Sequence, residues 1–268
     1  MPDDNTFAPK TRLFVILFVL GLFGVVSILL IDLPALAALI PHTTSDLPTF
    51  TPVVKVLSLV QPSLLLAVAV VIGVALARRV GLSAPAAEAL ARGGDVFTAL
   101  RPQLAPGLVG GLAGGLSIVL ISVITRPFLS ASAIDRISEF SKLLPLPMRL
   151  LYGGVTEELL LRWGFMTLIV WTTWRVLQKG ENVPKKAYFV SAILFSSFVF
   201  GAGHLPVAYV LLPASFSPAL VLFVIFANSA FGVVAGYLYW RRGLESAMIA
   251  HIICHLVLAF ASSAGAYF

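Results

Sequence analysis

The sequence predicts an all-α, polytopic bundle of transmembrane helices, with about seven spans and one or two interfacial helices. Of the 268 residues, 59% are hydrophobic and 11% are charged, whereas soluble domains are about 45–50% apolar and about 25% charged. The apolar residues lie in runs long enough to cross a bilayer, which takes about 20 residues of α-helix. We therefore expect an integral, multi-pass membrane protein in contact with the lipid bilayer.

Each of these runs is expected to form one span, at 13–31, 56–77, 104–125, 148–176, 187–204, 219–240 and 246–268. The first run is uncharged and longer than the ~7–15 residues of a signal-peptide core, so we expect it to be retained. The chain has one cysteine, Cys254, which lies inside the last run. Because a disulfide needs two cysteines, no intrachain disulfide can form.

The connections between the runs are more polar. Residues 32–51 hold three prolines and are expected to form an external loop, and Pro85 to Arg92 has helix formers between a proline and two glycines. Residues 126–147 are expected to form an interfacial amphipathic helix. In that segment four apolar residues recur at helical spacing: Ile134, Ile137, Phe140 and Leu144.

Basic residues set the expected orientation. The net charge is +6, but Lys and Arg occur in short clusters between the apolar runs, which indicates membrane topology and no nucleic-acid partner. Most of them fall on one side if the N-terminus is cytoplasmic and the C-terminus is outside. The exceptions are Lys55, Arg126, Arg136, Lys142 and Arg149.

The third run carries glycines at intervals of four, at Gly107, Gly111 and Gly115, with Gly110 and Gly114 beside them. This spacing places a smooth stripe on one helix face, where another helix can approach closely. We interpret the stripe as a packing face.

The fourth run holds three ionisable residues within six positions, Glu157, Glu158 and Arg162. A charged side chain at the centre of a spanning helix costs roughly 2.5–3.5 kcal/mol on insertion scales, so such residues usually pair, face a cavity or take part in chemistry. Glu158 and Arg162 are four apart on one helix face and are expected to form an ion pair. Glu157 is rotated by about 100° around the helix axis from Glu158 and needs a partner from another span.

Histidines in two other runs can supply that partner. His204 ends the fifth run and is preceded by Gly201 and Gly203, whereas His251 and His255 lie four apart on one face of the seventh. A histidine in a membrane helix is more often an interhelical hydrogen-bond donor than a catalyst. Six ionisable groups in apolar helices nevertheless exceed what helix packing requires.

Three motifs, Glu157-Glu158-x-x-x-Arg162, Phe200-x-x-x-His204 and His251-x-x-x-His255, resemble those of the CPBP family of intramembrane proteases, also called the ABI or CAAX protease family. The resemblance covers roughly residues 146–259. It divides the chain into N-terminal spans with an amphipathic connector, 1–145, and a protease core, 146–268. His255 departs from the family pattern, in which Asn or Asp is common at this position.

The resemblance implies hydrolysis of a peptide bond in a membrane-associated or lipidated peptide or protein. Glu157 would be the general base that activates a water together with His204. His251 and His255 would stabilise the oxyanion, and Glu158 with Arg162 would support the site. Histidine N–H groups can replace an Asn as donors to a developing negative charge.

Two questions stay open at this point. Histidines at i and i+4 are a familiar Zn²⁺ pair, so Glu157, His204, His251 and His255 could instead bind zinc, whereas the glutamate mechanism needs no cofactor. The protein could also be a non-proteolytic membrane scaffold, or a transporter that uses the buried charges as a relay. No internal repeat of the kind common in transporters is visible in the sequence.

Overall fold

The computed structural model describes residues 8–40 and 52–265, which form helices and turns without a strand in those ranges. The α-helices are α1 Lys10–Ser27, α2 Leu33–Ala38, α3 Pro52–Leu57, α4 Val60–Leu76, α5 Pro85–Arg92, α6 Val96–Thr125, α7 Ala131–Leu143, α8 Leu146–Met148, α9 Thr167–Leu177, α10 Lys186–Gly203, α11 Leu205–Leu211, α12 Pro218–Arg241 and α13 Leu244–Ser263. Two π-helices, π1 Arg149–Glu157 and π2 Leu159–Met166, connect α8 to α9. The all-α prediction is confirmed.

Six helical segments in the described part of the chain are long and apolar enough to cross a membrane: Lys10–Leu30, Val53–Val80, Val96–Phe128, Lys186–Leu211, Pro218–Arg241 and Leu244–Ser263. They coincide with six of the predicted spans and make the chain an integral membrane protein. The remaining predicted span, 148–176, is helical from α8 to α9 but is not among the six. The orientation and the division of the chain at residue 145 stay predictions.

The segment from α8 to α9 is enclosed by other helices. π1 packs against α1 and α13, and π2 packs against α4. Glu158 and Arg162 have no exposed surface. The surrounding helices therefore separate these charged side chains from lipid, which explains how a run with three charges fits inside an apolar bundle.

The glycine stripe of α6 is a packing face, as expected. A methyl group added at Gly111 would lie 2.5 Å from Cβ of Ile253 and 2.6 Å from the carbonyl oxygen of Ala250, both on α13. Gly110 and Gly114 turn instead toward α12, so α6 lies against both helices. Five glycines meet a side chain of these helices in this way: Gly107 meets Ile249, Gly110 meets Leu238, Gly111 meets Ile253, Gly114 meets Phe231 and Gly115 meets Val257.

Two of the predicted connecting helices are confirmed. The one expected from Pro85 to Arg92 has those bounds as α5. The amphipathic segment forms α7, in which Ile134, Ile137 and Phe140 pack partly buried against the core. Within the predicted loop 32–51, α2 forms at residues 33–38, and 41–51 lie outside the described residues.

Side-chain carboxylates hold α5 and α6 in place. Glu88 on α5 is 4% exposed and lies 3.6 Å from Arg78 and 3.5 Å from Arg92. Asp95 caps α6 by accepting hydrogen bonds from the backbone of Phe97 and Thr98. The Thr98 hydroxyl also donates to Asp95 and lowers the pKa of that carboxyl. Glu88 thus connects α5 to Arg78, and Asp95 satisfies backbone N–H groups at the start of α6.

Candidate active site

The Glu157-Glu158 motif lies where π1 meets π2, with Glu158 between them. Hydrogen bonds in a π-helix run from i to i+5, and such segments occur frequently at functional sites. Sequence reasoning assumed a regular α-helix here and missed both π-helices. Gly153 and Gly154 inside π1 were the one visible sign in the sequence that another helix comes close here. Each lacks a side chain where α13 approaches, and an added methyl group would collide with His255 and with Ile252, respectively.

The predicted ion pair is confirmed. Nε of Arg162 lies 3.4 Å from Oε2 of Glu158, and both side chains are fully buried. Arg162 also donates a hydrogen bond of 3.1 Å to the carbonyl oxygen of Gly232 on α12, and its guanidinium carbon lies 5.4 Å from the centre of the Phe200 ring. Arg162 therefore links the motif helix to α10 and α12 and neutralises Glu158.

His251 contacts both glutamates. Its Nδ1 lies 2.9 Å from Oε1 of Glu158, and its Nε2 lies 3.9 Å from Oε2 of Glu157. Glu158 as a carboxylate can only accept a hydrogen bond, so Nδ1 of His251 carries the proton and donates it. Nε2 of this histidine consequently faces Glu157. The expectation that Glu157 needs a partner from another span is met by α13.

Glu157 differs from Glu158 in access. The Glu157 side chain is 21% exposed, whereas that of Glu158 has no exposed surface. The distance of 3.9 Å from Glu157 to His251 is too long for a direct hydrogen bond. A water molecule can hydrogen-bond to both atoms at that separation. Of the two adjacent carboxylates, Glu157 is the one that a water or a substrate can reach.

His204 lies at the junction of α10 and α11, because the helix continues beyond Pro206 to Leu211 and does not end at His204. Pro206 is tolerated because it stands in the first turn of α11, where its missing N–H needs no partner. Nδ1 of His204 lies 2.8 Å from the carbonyl oxygen of Phe200 and must donate to it, which leaves Nε2 available.

His204 and His251 both pack against the ring of Phe200. Its centre lies 4.9 Å from that of His204 and 6.0 Å from that of His251, in both cases edge to face. Within the part of the chain that the structure describes, His204 makes no ion pair with Glu157. His204 therefore lies at the edge of the site against Phe200, whereas Glu157 lies beside His251.

His255 stacks on His251, with ring centres 4.9 Å apart and planes 12° apart. Its Nε2 is buried and has no hydrogen-bond partner among the described residues. An unsatisfied buried polar group costs about 1–3 kcal/mol, so most such groups in native proteins have a partner. Gly153 of π1 lies against this nitrogen.

Replacing Gly153 by alanine is expected to lower activity at least tenfold, because the added methyl group would collide with Nε2 of His255 and displace a ring packed in the site. The loss should appear in the rate of the peptide hydrolysis that the family resemblance implies, measured per folded molecule. Gly94→Ala is the matched control, since the nearest atom to its added methyl group is the carbonyl oxygen of Ala89 at 3.5 Å. Equal activity of the two variants would contradict this role of Gly153.

Sequence reasoning also missed two contributions of α12 to the site. The Phe231 ring lies 4.3 Å from the ring of His251 and is 1% exposed, so it forms an apolar wall behind the histidine. Gly232 supplies the carbonyl oxygen that Arg162 contacts. Neither residue type signals such a role in sequence.

The four residues expected to bind zinc in the alternative mechanism are Glu157, His204, His251 and His255. Among residues 8–40 and 52–265, no three His, Cys, Asp or Glu side chains are grouped as metal ligands. Nδ1 of His251 is engaged with Glu158 and Nδ1 of His204 with a backbone carbonyl, so Nε2 is the atom of each ring that could bind a metal. Zinc binding stays a prediction.

Comparison with known proteins bears on the same segment. Residues 139–257 match the family model described as type II CAAX prenyl endopeptidase Rce1-like. Neither the curated proteins nor the solved structures that were searched gave a match. The matched segment contains all six ionisable residues of the site, from Glu157 to His255. Residues 139–257 are thus similar to the CAAX protease family, and the resemblance inferred from the three motifs is confirmed over that segment.

Proposed function

We propose that the protein is an intramembrane endopeptidase that hydrolyses a peptide bond of a membrane-associated or lipidated substrate with a water activated by Glu157. The match to an endopeptidase family supports proteolysis as the class of reaction. The observation that carries the assignment of the base is the difference between two adjacent carboxylates. Glu158 is fully buried and contacts Arg162 and His251, whereas Glu157 is partly exposed beside Nε2 of His251.

The proposed reaction begins with a water bound to Glu157. The carboxylate removes a proton from this water as the oxygen attacks the carbonyl carbon of the scissile peptide bond. A tetrahedral oxyanion forms, and the C–N bond then breaks. Glu157 passes the proton to the departing amine and returns to its carboxylate form. General acid–base assistance of this kind contributes about 10²–10⁴-fold to the rate.

Histidines take the supporting roles. His204 keeps Nε2 available beside the Phe200 ring, and we assign it to orient the attacking water with Glu157. The buried Nε2 of His255 has no protein partner among the described residues, which suits a donor that meets the oxyanion only in the reaction. Glu158 holds the ring of His251 in one orientation through Nδ1.

The proposed reaction uses no metal, because Glu157 itself takes the proton from the water. We expect cleavage to persist after removal of all bound metal by a chelator, with metal content checked by elemental analysis. Loss of activity on chelation and recovery on addition of Zn²⁺ alone would establish the zinc mechanism instead.

The substrate is proposed from the family description, which names a CAAX prenyl endopeptidase. The purified chain in liposomes should cleave a farnesylated peptide with a CAAX terminus, and mass spectrometry should identify one broken peptide bond. The same peptide without the farnesyl group is the control. Equal cleavage of both peptides would show that the prenyl group is not required, but the protein would still be a peptidase. If neither of these peptides nor any other membrane-anchored peptide is cleaved, a non-proteolytic scaffold is favoured.

A further inference from the structure

A groove of about 620 Å³ runs between α6 and α12, and none of the site histidines lines it. Its volume lies within the range of about 300–1,000 Å³ that is typical of ligand pockets. The walls are aliphatic, formed by Val109 on α6 and by Val233, Val234 and Leu238 on α12. Val109 is 65% exposed, so the groove opens to the surroundings of the bundle, which in a membrane are lipid chains.

One end of the groove is basic. Arg241 and Arg242 line it at the end of α12, and both are exposed. Among the residues that the structure describes, neither guanidinium is paired with a carboxylate. Arg241 stacks near the ring of Trp240, at 5.4 Å from its centre. The two positive charges at the mouth of an apolar groove are therefore not neutralised by these residues.

Aromatic residues mark the depth of this end in the bilayer. Tyr237 lines the groove, is 53% exposed and packs edge to face on Trp240, with ring centres 6.4 Å apart. Tyr and Trp are enriched where the hydrocarbon core meets the headgroups. At about 1.5 Å per residue, Val233 lies ~12 Å along α12 from Arg241, in the direction of the hydrocarbon. The groove thus extends from headgroup level into the acyl region.

We propose that this groove binds an anionic phospholipid, with its phosphate at Arg241 and Arg242 and an acyl chain along Val109, Val233 and Val234. Basic pockets between transmembrane helices are a known form of headgroup recognition, in which charge supplies affinity and the apolar walls hold the chain. The occupant is a bilayer lipid because the groove is continuous with the lipid-facing surface. The inference is independent of the proposed peptidase reaction.

Lipid binding to the delipidated, full-length protein in detergent tests the proposal. Phosphatidylglycerol and phosphatidylcholine would be titrated separately, and native mass spectrometry would measure the lipid-bound fraction. Two basic residues at about 1 kcal/mol each predict that phosphatidylglycerol binds about 30-fold more tightly than phosphatidylcholine. The double variant Arg241→Gln, Arg242→Gln should lose this preference, and the Arg→Lys pair should keep most of it.

Two further variants separate the charge from the groove. Lys185→Gln with Lys186→Gln removes the same charge from exposed positions at the start of α10 and should leave the preference for phosphatidylglycerol unchanged. Val109→Trp fills the groove without touching the arginines and should weaken binding of both lipids. Equal affinity of the wild-type protein for both lipids would overturn the proposal. So would full binding of phosphatidylglycerol by the Arg→Gln pair, or unchanged binding by Val109→Trp.

Discussion

Replacing Arg162 by methionine is expected to lower the free energy of unfolding by about 3–5 kcal/mol, the usual result of removing one partner of a buried ion pair. Arg162 and Glu158 are both fully buried at 3.4 Å, so the variant leaves a carboxylate without its neutralising charge. The hydrogen bond to the carbonyl oxygen of Gly232 is lost as well. Thermal unfolding in detergent, followed by circular dichroism, measures the effect.

Two controls make this stability prediction specific. Arg101→Met removes an exposed arginine from α6 and should change stability little. Adding Glu158→Gln to Arg162→Met removes the stranded charge, while the glutamine can still accept the hydrogen bond from His251, so part of the stability should return. A single Arg162→Met variant as stable as wild type would show that the ion pair does not hold the motif helix.

Replacing Glu157 by glutamine is expected to reduce cleavage by about 10²–10⁴-fold, because glutamine keeps the size of the side chain but cannot accept a proton from water. The fold should be retained, since this carboxylate is partly exposed and makes no direct hydrogen bond to His251 at 3.9 Å. The rate of cleavage is measured per folded molecule in liposomes, after unfolding curves have shown similar stability.

Glu181→Gln is the matched control for the Glu157 variant. Glu181 lies in the exposed turn after α9 and contributes its backbone carbonyl, which the substitution keeps. Both variants lose one negative charge, so a difference between them reports on the position of the charge. Cleavage by Glu157→Gln at the rate of Glu181→Gln would remove Glu157 from the mechanism.

The sequence was sufficient for the features that follow from periodicity and hydrophobicity. Apolar runs of bilayer length predicted the six spanning helices, and spacing by four predicted both the packing face of α6 and the contact of Glu158 with Arg162. These features depend on one helix at a time. The six ionisable residues could be singled out for the same reason, because charge inside an apolar run is visible without knowing its neighbours.

Features that depend on how helices meet could not be predicted in this way. The rotation of α13 decides that His251 contacts both Glu157 and Glu158, and a spacing rule within one helix does not contain it. The π-helices depend on hydrogen bonds from i to i+5, which a 3.6-residue pattern excludes from the start. Phe231 reads as an ordinary apolar residue until α12 brings its ring to 4.3 Å from His251.

Hydrolysis in ¹⁸O-labelled water tests most directly whether the site activates water to break a peptide bond. The purified protein in liposomes would be incubated with a membrane-anchored peptide, and mass spectrometry would measure the masses of the fragments. We predict one ¹⁸O atom in the new carboxylate of each cleaved peptide, and no labelled fragment above background with Glu157→Gln. Fragments without the label, or labelled fragments formed by Glu157→Gln at the wild-type rate, would contradict the account.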